Sequence, residues 1–206
     1  MSHAPDTEFL RRIPHGARRT QSPRPSLTAV ALVWALVAAQ GLWGQSAKPS
    51  AYDVKAVYLY NFGRFVEWPA SVTAKSGSFT VCVLGQDPFG PALDATLAGE
   101  TIDGKSVVAK RISNPQEAAS CRIVFMSSAE GSQIDKIIES LDKQAVLTVS
   151  DTPQFSQRGG MIQFVLEEQK VRFEVNLTAV QHAGLTLSSE LLKVAISVRR
   201  KPSPGD

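Results

Sequence analysis

The side chains that most often do chemistry at neutral pH are scarce in this chain of 206 residues. It holds three histidines, and His3 and His15 lie in the first stretch, leaving His182 alone in the remainder. A histidine that shuttles protons needs an orienting partner and a group to act on. His182 instead falls in a short helical run over 178–183, next to Gly184, and reads as a solvated histidine in the last turn, where a cation suits the helix dipole. Zinc needs three or four ligands at suitable spacing, and one histidine with two distant cysteines does not supply them. No Gly-x-Ser-x-Gly elbow is present. A Ser–Asp–His set can be drawn from Ser127 or Ser128, Asp151 and His182, but no spacing demands it. The loop over 85–90 has the outline of a phosphate loop without its Gly-Lys-Ser/Thr ending. Glu167 and Glu168 read as a solvated turn tip. Asn176-Leu177-Thr178 matches a glycosylation sequon, and Asn176 reads better as a helix cap. No catalytic residue, metal site or cofactor is therefore expected.

Two features remain. Cys82 and Cys121 are the only cysteines. In an oxidising compartment such a pair bonds when its Cα atoms lie near 5.5 Å, and closing so long a loop stabilises by about 3–4 kcal/mol in the chain-entropy model. Two small buried hydrophobes in neighbouring strands are the alternative. The second feature is a set of polar residues after apolar strands: Asp87, Ser127, Ser128 and Asp151. In a parallel sheet these lie in the crevice outside the carboxyl ends of the strands, where small ligands bind.

The elements that must position these groups are legible. Near-continuous apolar runs at 78–84, 121–126 and 145–149 read as strands buried on both faces. A further strand alternates over 105–111. Helices are expected over 52–68, 91–97 and 132–141, with helical turns after Asn114-Pro115 and around Phe155. In the first helix Val54, Val57, Tyr58, Asn61, Phe62 and Phe65 recur at three- and four-residue steps and form the expected core stripe. Strands alternating with helices argue for right-handed crossovers. The chain then changes character. Strands over 161–165 and 171–175 flank the polar turn 167–170 as a hairpin, followed by helical runs over 178–183 and 188–198. The expected fold is α/β and a single domain: a mostly parallel sheet with helices on both faces and a C-terminal antiparallel hairpin at its edge. The domain spans 51–198 and a frayed tail occupies 199–206.

Charge separates the leader from the domain. Residues 1–47 carry five Arg against one Asp and one Glu, whereas the rest balances 17 basic against 17 acidic residues. A neutral domain without a basic stripe is a poor nucleic-acid binder. Arg11, Arg12, Arg18, Arg19 and Arg24 precede the apolar run 27–39, and Val37-Ala38-Ala39 offers small residues for cleavage, the pattern of a secretory signal peptide. An uncleaved anchor over 27–44 is the competing reading. Under the cleavage reading residues 1–47 are signal peptide and lead-in, and the exported domain does not insert in the membrane.

Several motifs, taken in order, resemble YfiR-like proteins. They are Tyr52-Asp53-Val54-Lys55-Ala56 through Tyr60-Asn61-Phe62 to Glu67-Trp68-Pro69, Cys82-Val83-Leu84-Gly85 with Asp87-Pro88-Phe89-Gly90, and Cys121 opening its strand. Leu147-Thr148-Val149-Ser150-Asp151, Gly159-Gly160-Met161-Ile162, Phe173-Glu174-Val175-Asn176, and Gly184-Leu185 with 187–192 complete the set. The resemblance implies a periplasmic regulator without catalytic activity. Such a protein binds the periplasmic domain of an inner-membrane diguanylate cyclase and holds it inactive, so that cyclic-di-GMP signalling and biofilm formation follow envelope or redox state. It points to Ile162, Glu174 and Val180 as partner-binding positions. Some members carry a second cysteine pair where this chain has Ser156 and Gln163. The hairpin's outer strand, with Arg172, Glu174 and Asn176 facing out, offers an edge on which a partner could dock; a second copy of the chain is a further candidate partner. A periplasmic module binding a nucleotide or amino acid is the alternative function.

Overall fold

The computed structural model describes residues 48–73, 77–142 and 144–200. The expected signal peptide and all but the first two residues of the expected tail lie outside the described residues.

The first helix among the described residues, α1 (Ala51–Phe65), starts at a capping box in which the Ser50 hydroxyl accepts from the Asp53 amide and the Asp53 carboxylate accepts from the Ser50 amide. Two amide donors at the helix start are thereby satisfied reciprocally. Its buried face is Lys55, Ala56, Leu59, Phe62 and Gly63; of the expected stripe Phe62 is buried and Val54 and Tyr58 pack against the core, whereas two members turn outward. Val57 is 49% exposed and Phe65 36%. Aromatic residues lie on more than one side of this helix, so two stripes were compatible with the sequence. The close fit at Gly63 decides between them: an added Cβ would lie 2.5 Å from Ile102 Cδ1.

The helix also ends earlier than expected. Strand β1 (Val66–Glu67) leaves it extended and pairs antiparallel with β9 (Thr186–Leu187) as a two-stranded ribbon. A short helix α2 (Ala70–Thr73) follows. Then come β2 (Phe79–Leu84), α3 (Pro91–Leu97), β3 (Thr101–Ile102), β4 (Lys105–Ile112), β5 (Ile123–Met126), α4 (Ile134–Ser140) and β6 (Leu147–Ser150). The chain closes with β7 (Ile162–Glu167), β8 (Lys170–Asn176), α5 (Leu177–His182), β9, α6 (Ser189–Val194) and β10 (Ser197–Arg199).

The main sheet has eight strands in the order β10-β8-β7-β6-β5-β2-β4-β3. Neighbours run parallel except in β3/β4 and β7/β8. Alternate residues of the central strands enter two separate cores. Val81, Val83, Ile123 and Phe125 pack with α1, α3, α5 and α6, while Cys82, Leu84, Val124 and Met126 pack with α4 and Phe155. Helices therefore cover both faces, and the continuous apolar runs follow from that double burial. Phe62, Phe125, Phe155 and Phe173 are among the largest fully buried side chains; each contributes about 1.5–3 kcal/mol by leaving water.

Between β7 and β8 the pairing Glu167↔Lys170 leaves Glu168 and Gln169 as a two-residue turn, both at positive φ (49° and 61°). Such a turn matches the strands' twist but strains side chains other than Gly or Asn. The outer strand of this pair is not an edge. The helix expected over 188–198 stops at Val194, Ala195 is extended, and β10 pairs parallel with β8 through Ser197↔Glu174 and Arg199↔Asn176. This overturns the expected antiparallel edge and places Arg199 in the sheet rather than in a tail.

Candidate functional site

Three groups of side chains carry the chemistry that the sequence singled out. The first lies at the carboxyl ends of the central strands. Asp151 follows β6, where Ser150 Oγ donates to the Met126 carbonyl at 2.8 Å and fixes the strand's end. The first turns of α1 lean over it. Lys55 Nζ donates to Asp151 Oδ2 at 2.5 Å, and the Tyr52 hydroxyl donates to the same oxygen at 2.8 Å. The Lys55 and Asp151 side chains are only 6% and 12% exposed. The ammonium also sits 4.1 Å from the centre of the Tyr52 ring, a cation–π contact that partly replaces lost hydration. Burial, with the Asp151 hydrogen bond and charge adding to it, pushes the Tyr52 phenol up to about 12. Asp151 Oδ1 is buried without a hydrogen-bond partner among the described residues.

The other candidate pocket residues are committed in part. Asp87 Oδ1 accepts from the Phe89 amide at 2.8 Å, and Asp87 Oδ2 accepts from Arg111 Nε at 2.9 Å. Arg111 also donates to Asp94 and to the Gly90 carbonyl, so one guanidinium clamps the whole β2–α3 loop. Its hydrogen bond holds Asp94 below the ordinary carboxylate range. Ser127 is buried, and its hydroxyl accepts from the Ala129 amide at 3.4 Å; Ser128 is exposed. The Tyr52 ring meets Phe89 edge-on at 5.4 Å, so Tyr52 spans from the Asp87 loop to Asp151. The crevice is thus bridged by α1, with its charges paired to one another. A wide cleft of about 1100 Å³ lies elsewhere, between residues 63–70 and 101–105.

The second group is the cysteine pair. Cys82 and Cys121 are bonded, with their Cα atoms 5.9 Å apart. Both are fully buried in the core beneath α4.

The third group holds the loop after Asp151 to the polar face of β7 and β8. Ser156 spends all three of its polar groups here. Its amide donates to Gln163 Oε1, its hydroxyl donates to Glu174 Oε2, and its carbonyl accepts from Asn176 Nδ2, each at 3.0 Å. Asn176 also caps α5 by accepting from the Ala179 amide at 3.1 Å. Behind the loop, Gly160 leaves no room: a Cβ there would lie 2.1 Å from Phe155 Cε1. Glu174 is half-buried in this clasp. Ile162 and Val180 are 0% exposed and belong to the core.

Residues 52–196 match the family described as YfiR/HmsC-like. The chain belongs to the YfiR/HmsC-like family. Its fold is also similar to a solved conserved domain protein from Vibrio cholerae, 12% identical, with 73% of this chain and 60% of that chain covered at a TM-score of 0.50. An ABC domain from Streptococcus pneumonia, solved in complex with L-Trp, aligns at 12% identity over 72% of this chain and 60% of that one, with a TM-score of 0.47. This chain spans 60% of the length of either protein, and the likeness to the Vibrio cholerae protein, at 12% identity, concerns the fold alone.

Within a YfiR/HmsC-like frame, Ser156 and Gln163 stand where the resemblance places a second cysteine pair in some members, and here a hydrogen bond joins them. Sequence reasoning missed Lys55 and the Ser156 clasp. For Lys55 a signal existed: it stands three residues from Tyr52 and four from Leu59, on the helix face that packs inward. For Ser156 there was none, because its three partners come from two later strands.

Proposed function

We propose that this chain is a periplasmic regulator that binds the periplasmic domain of an inner-membrane diguanylate cyclase and holds it inactive. The observation that carries the reading is the family match, which takes in every element from α1 to α6. In this reading the recognition surface is the polar face of β7 and β8 with the loop clasped to it. Arg172 is exposed there, as are Pro153, Gln154 and Gln157 on the loop. Glu174 contributes by holding that loop through Ser156. Ile162 and Val180, being core residues, contribute by fixing the hairpin and α5 beneath. The Cys82–Cys121 bond keeps the opposite core intact in an oxidising compartment.

The test has two arms. Deleting the gene should raise cellular cyclic-di-GMP, and the purified chain should retain a diguanylate cyclase from solubilised inner membrane. Arg172→Glu should fail to lower cyclic-di-GMP in the deletion strain and fail to retain the cyclase, while melting at the wild-type temperature, since an exposed charge contributes little to stability. Unchanged cyclic-di-GMP on deletion, together with no cyclase retained, would remove the proposal.

A further inference from the structure

A pocket of about 230 Å³ opens between α5, β9 and α6. Its walls are Leu177, Leu185, Leu187 and Leu192, with Gln181, Thr186 and Arg200 completing it. Four leucines form an apolar chamber. Arg200 is the cation at this pocket, and no carboxylate among the described residues pairs with it. Gln181 is exposed and adds an amide donor. An apolar cavity of about 150 Å³ is enough to take benzene, so this one admits a longer aliphatic group. The charge complement of this guanidinium is a carboxylate, which it meets through two parallel donors.

We propose that this pocket binds a free medium-chain aliphatic carboxylate, with its tail among the four leucines and its head at Arg200 and Gln181. The site is independent of any cyclase and is tested without one.

The probe is decanoate, titrated calorimetrically into the purified full chain, with decanol and shorter carboxylates as comparisons. Binding should be saturable and should tighten about fourfold for each methylene added until the chamber is full. Decanol should bind about threefold to fivefold more weakly than decanoate, as expected for a solvent-exposed charge pair. Arg200→Ala should bring decanoate down to the affinity of decanol and leave decanol unchanged. Gln181→Trp, an exposed position on the pocket wall, should abolish both; Thr186→Trp serves as a second blocking variant, and melting temperatures confirm that each remains folded. The proposal is overturned if decanoate shows no saturable binding, if decanol binds equally well, if Arg200→Ala changes nothing, or if the folded blocking variants bind as the parent does.

Discussion

Replacing Lys55 by Met is the sharpest probe of how this domain is closed. The substitution leaves an unbranched, slightly shorter side chain and removes the ammonium, with its charge and its contact over the Tyr52 ring. Asp151, 12% exposed, would then hold a carboxylate with one remaining donor, the Tyr52 hydroxyl, and a second oxygen that already has none. Breaking a buried pair in this way costs about 3–5 kcal/mol, because the surviving charge is left desolvated. Asp151→Leu should cost less. The stranded ammonium keeps its place over the Tyr52 ring at 4.1 Å, and a desolvated cation–π contact returns up to about 2 kcal/mol. The double variant, Lys55→Met with Asp151→Leu, removes both charges and should lie within about 1–2 kcal/mol of the parent, the residue being the lost acceptor of Tyr52. Equilibrium urea unfolding followed by far-UV circular dichroism gives all three values, and the double-mutant cycle gives their coupling. If Lys55→Met lies within about 0.5 kcal/mol of the parent, the pair behaves as a solvated surface bridge and the account of α1 as latched to the sheet fails.

Three further outcomes are expected. Reducing the Cys82–Cys121 bond, or replacing both cysteines by Ala, should destabilise by about 4 kcal/mol for a loop of 39 residues; an unchanged urea midpoint under reductant would show that the bond contributes nothing. The folded chain keeps the Tyr52 proton up to about pH 12, whereas an unfolded tyrosine releases it near 10. This contribution is therefore whole below pH 10 and is lost as pH rises toward 12; Tyr52→Phe should abolish that part of the decline in the urea midpoint, and an identical decline in both proteins would contradict the assignment. Gly160→Ala forces a methyl into the buried Phe155 ring and should cost about 1–3 kcal/mol, read as a lowered melting temperature with the fold retained.

What the sequence made legible follows from how each signal arises. The strands β2, β5 and β6 announce themselves because both of their faces are buried, which leaves few polar positions to confuse the pattern. The placement of Asp151 at a strand's carboxyl end was readable for the same reason. The spacing of Lys55 to Tyr52 and Leu59 could set it on the inward face of α1, but not name Asp151 as its partner, because an ion pair spanning 96 positions leaves no local trace. On α1, aromatic residues on two sides made hydrophobic periodicity ambiguous, and the choice rested on how tightly Gly63 fits Ile102 and Phe79. Strand β10 is three residues long and follows a helix with apolar spacing, so the sequence favoured a longer helix. Glu174 looked like a free surface charge because alternation along β8 pointed it outward; only the fold shows that Ser156 meets it there.

The latch between α1 and the end of β6 bears on the order in which the molecule can be completed. Tyr52 waits for an acceptor 99 positions away, and Phe62 waits for Phe164 and Phe173. Helix α1 packs against α3, which follows it closely, but its seat is complete only once β6, β7 and β8 have been made. Such distant pairings slow folding. If the chain is exported as proposed, that delay is useful: α1 and the late hairpin must both arrive before the domain can shut.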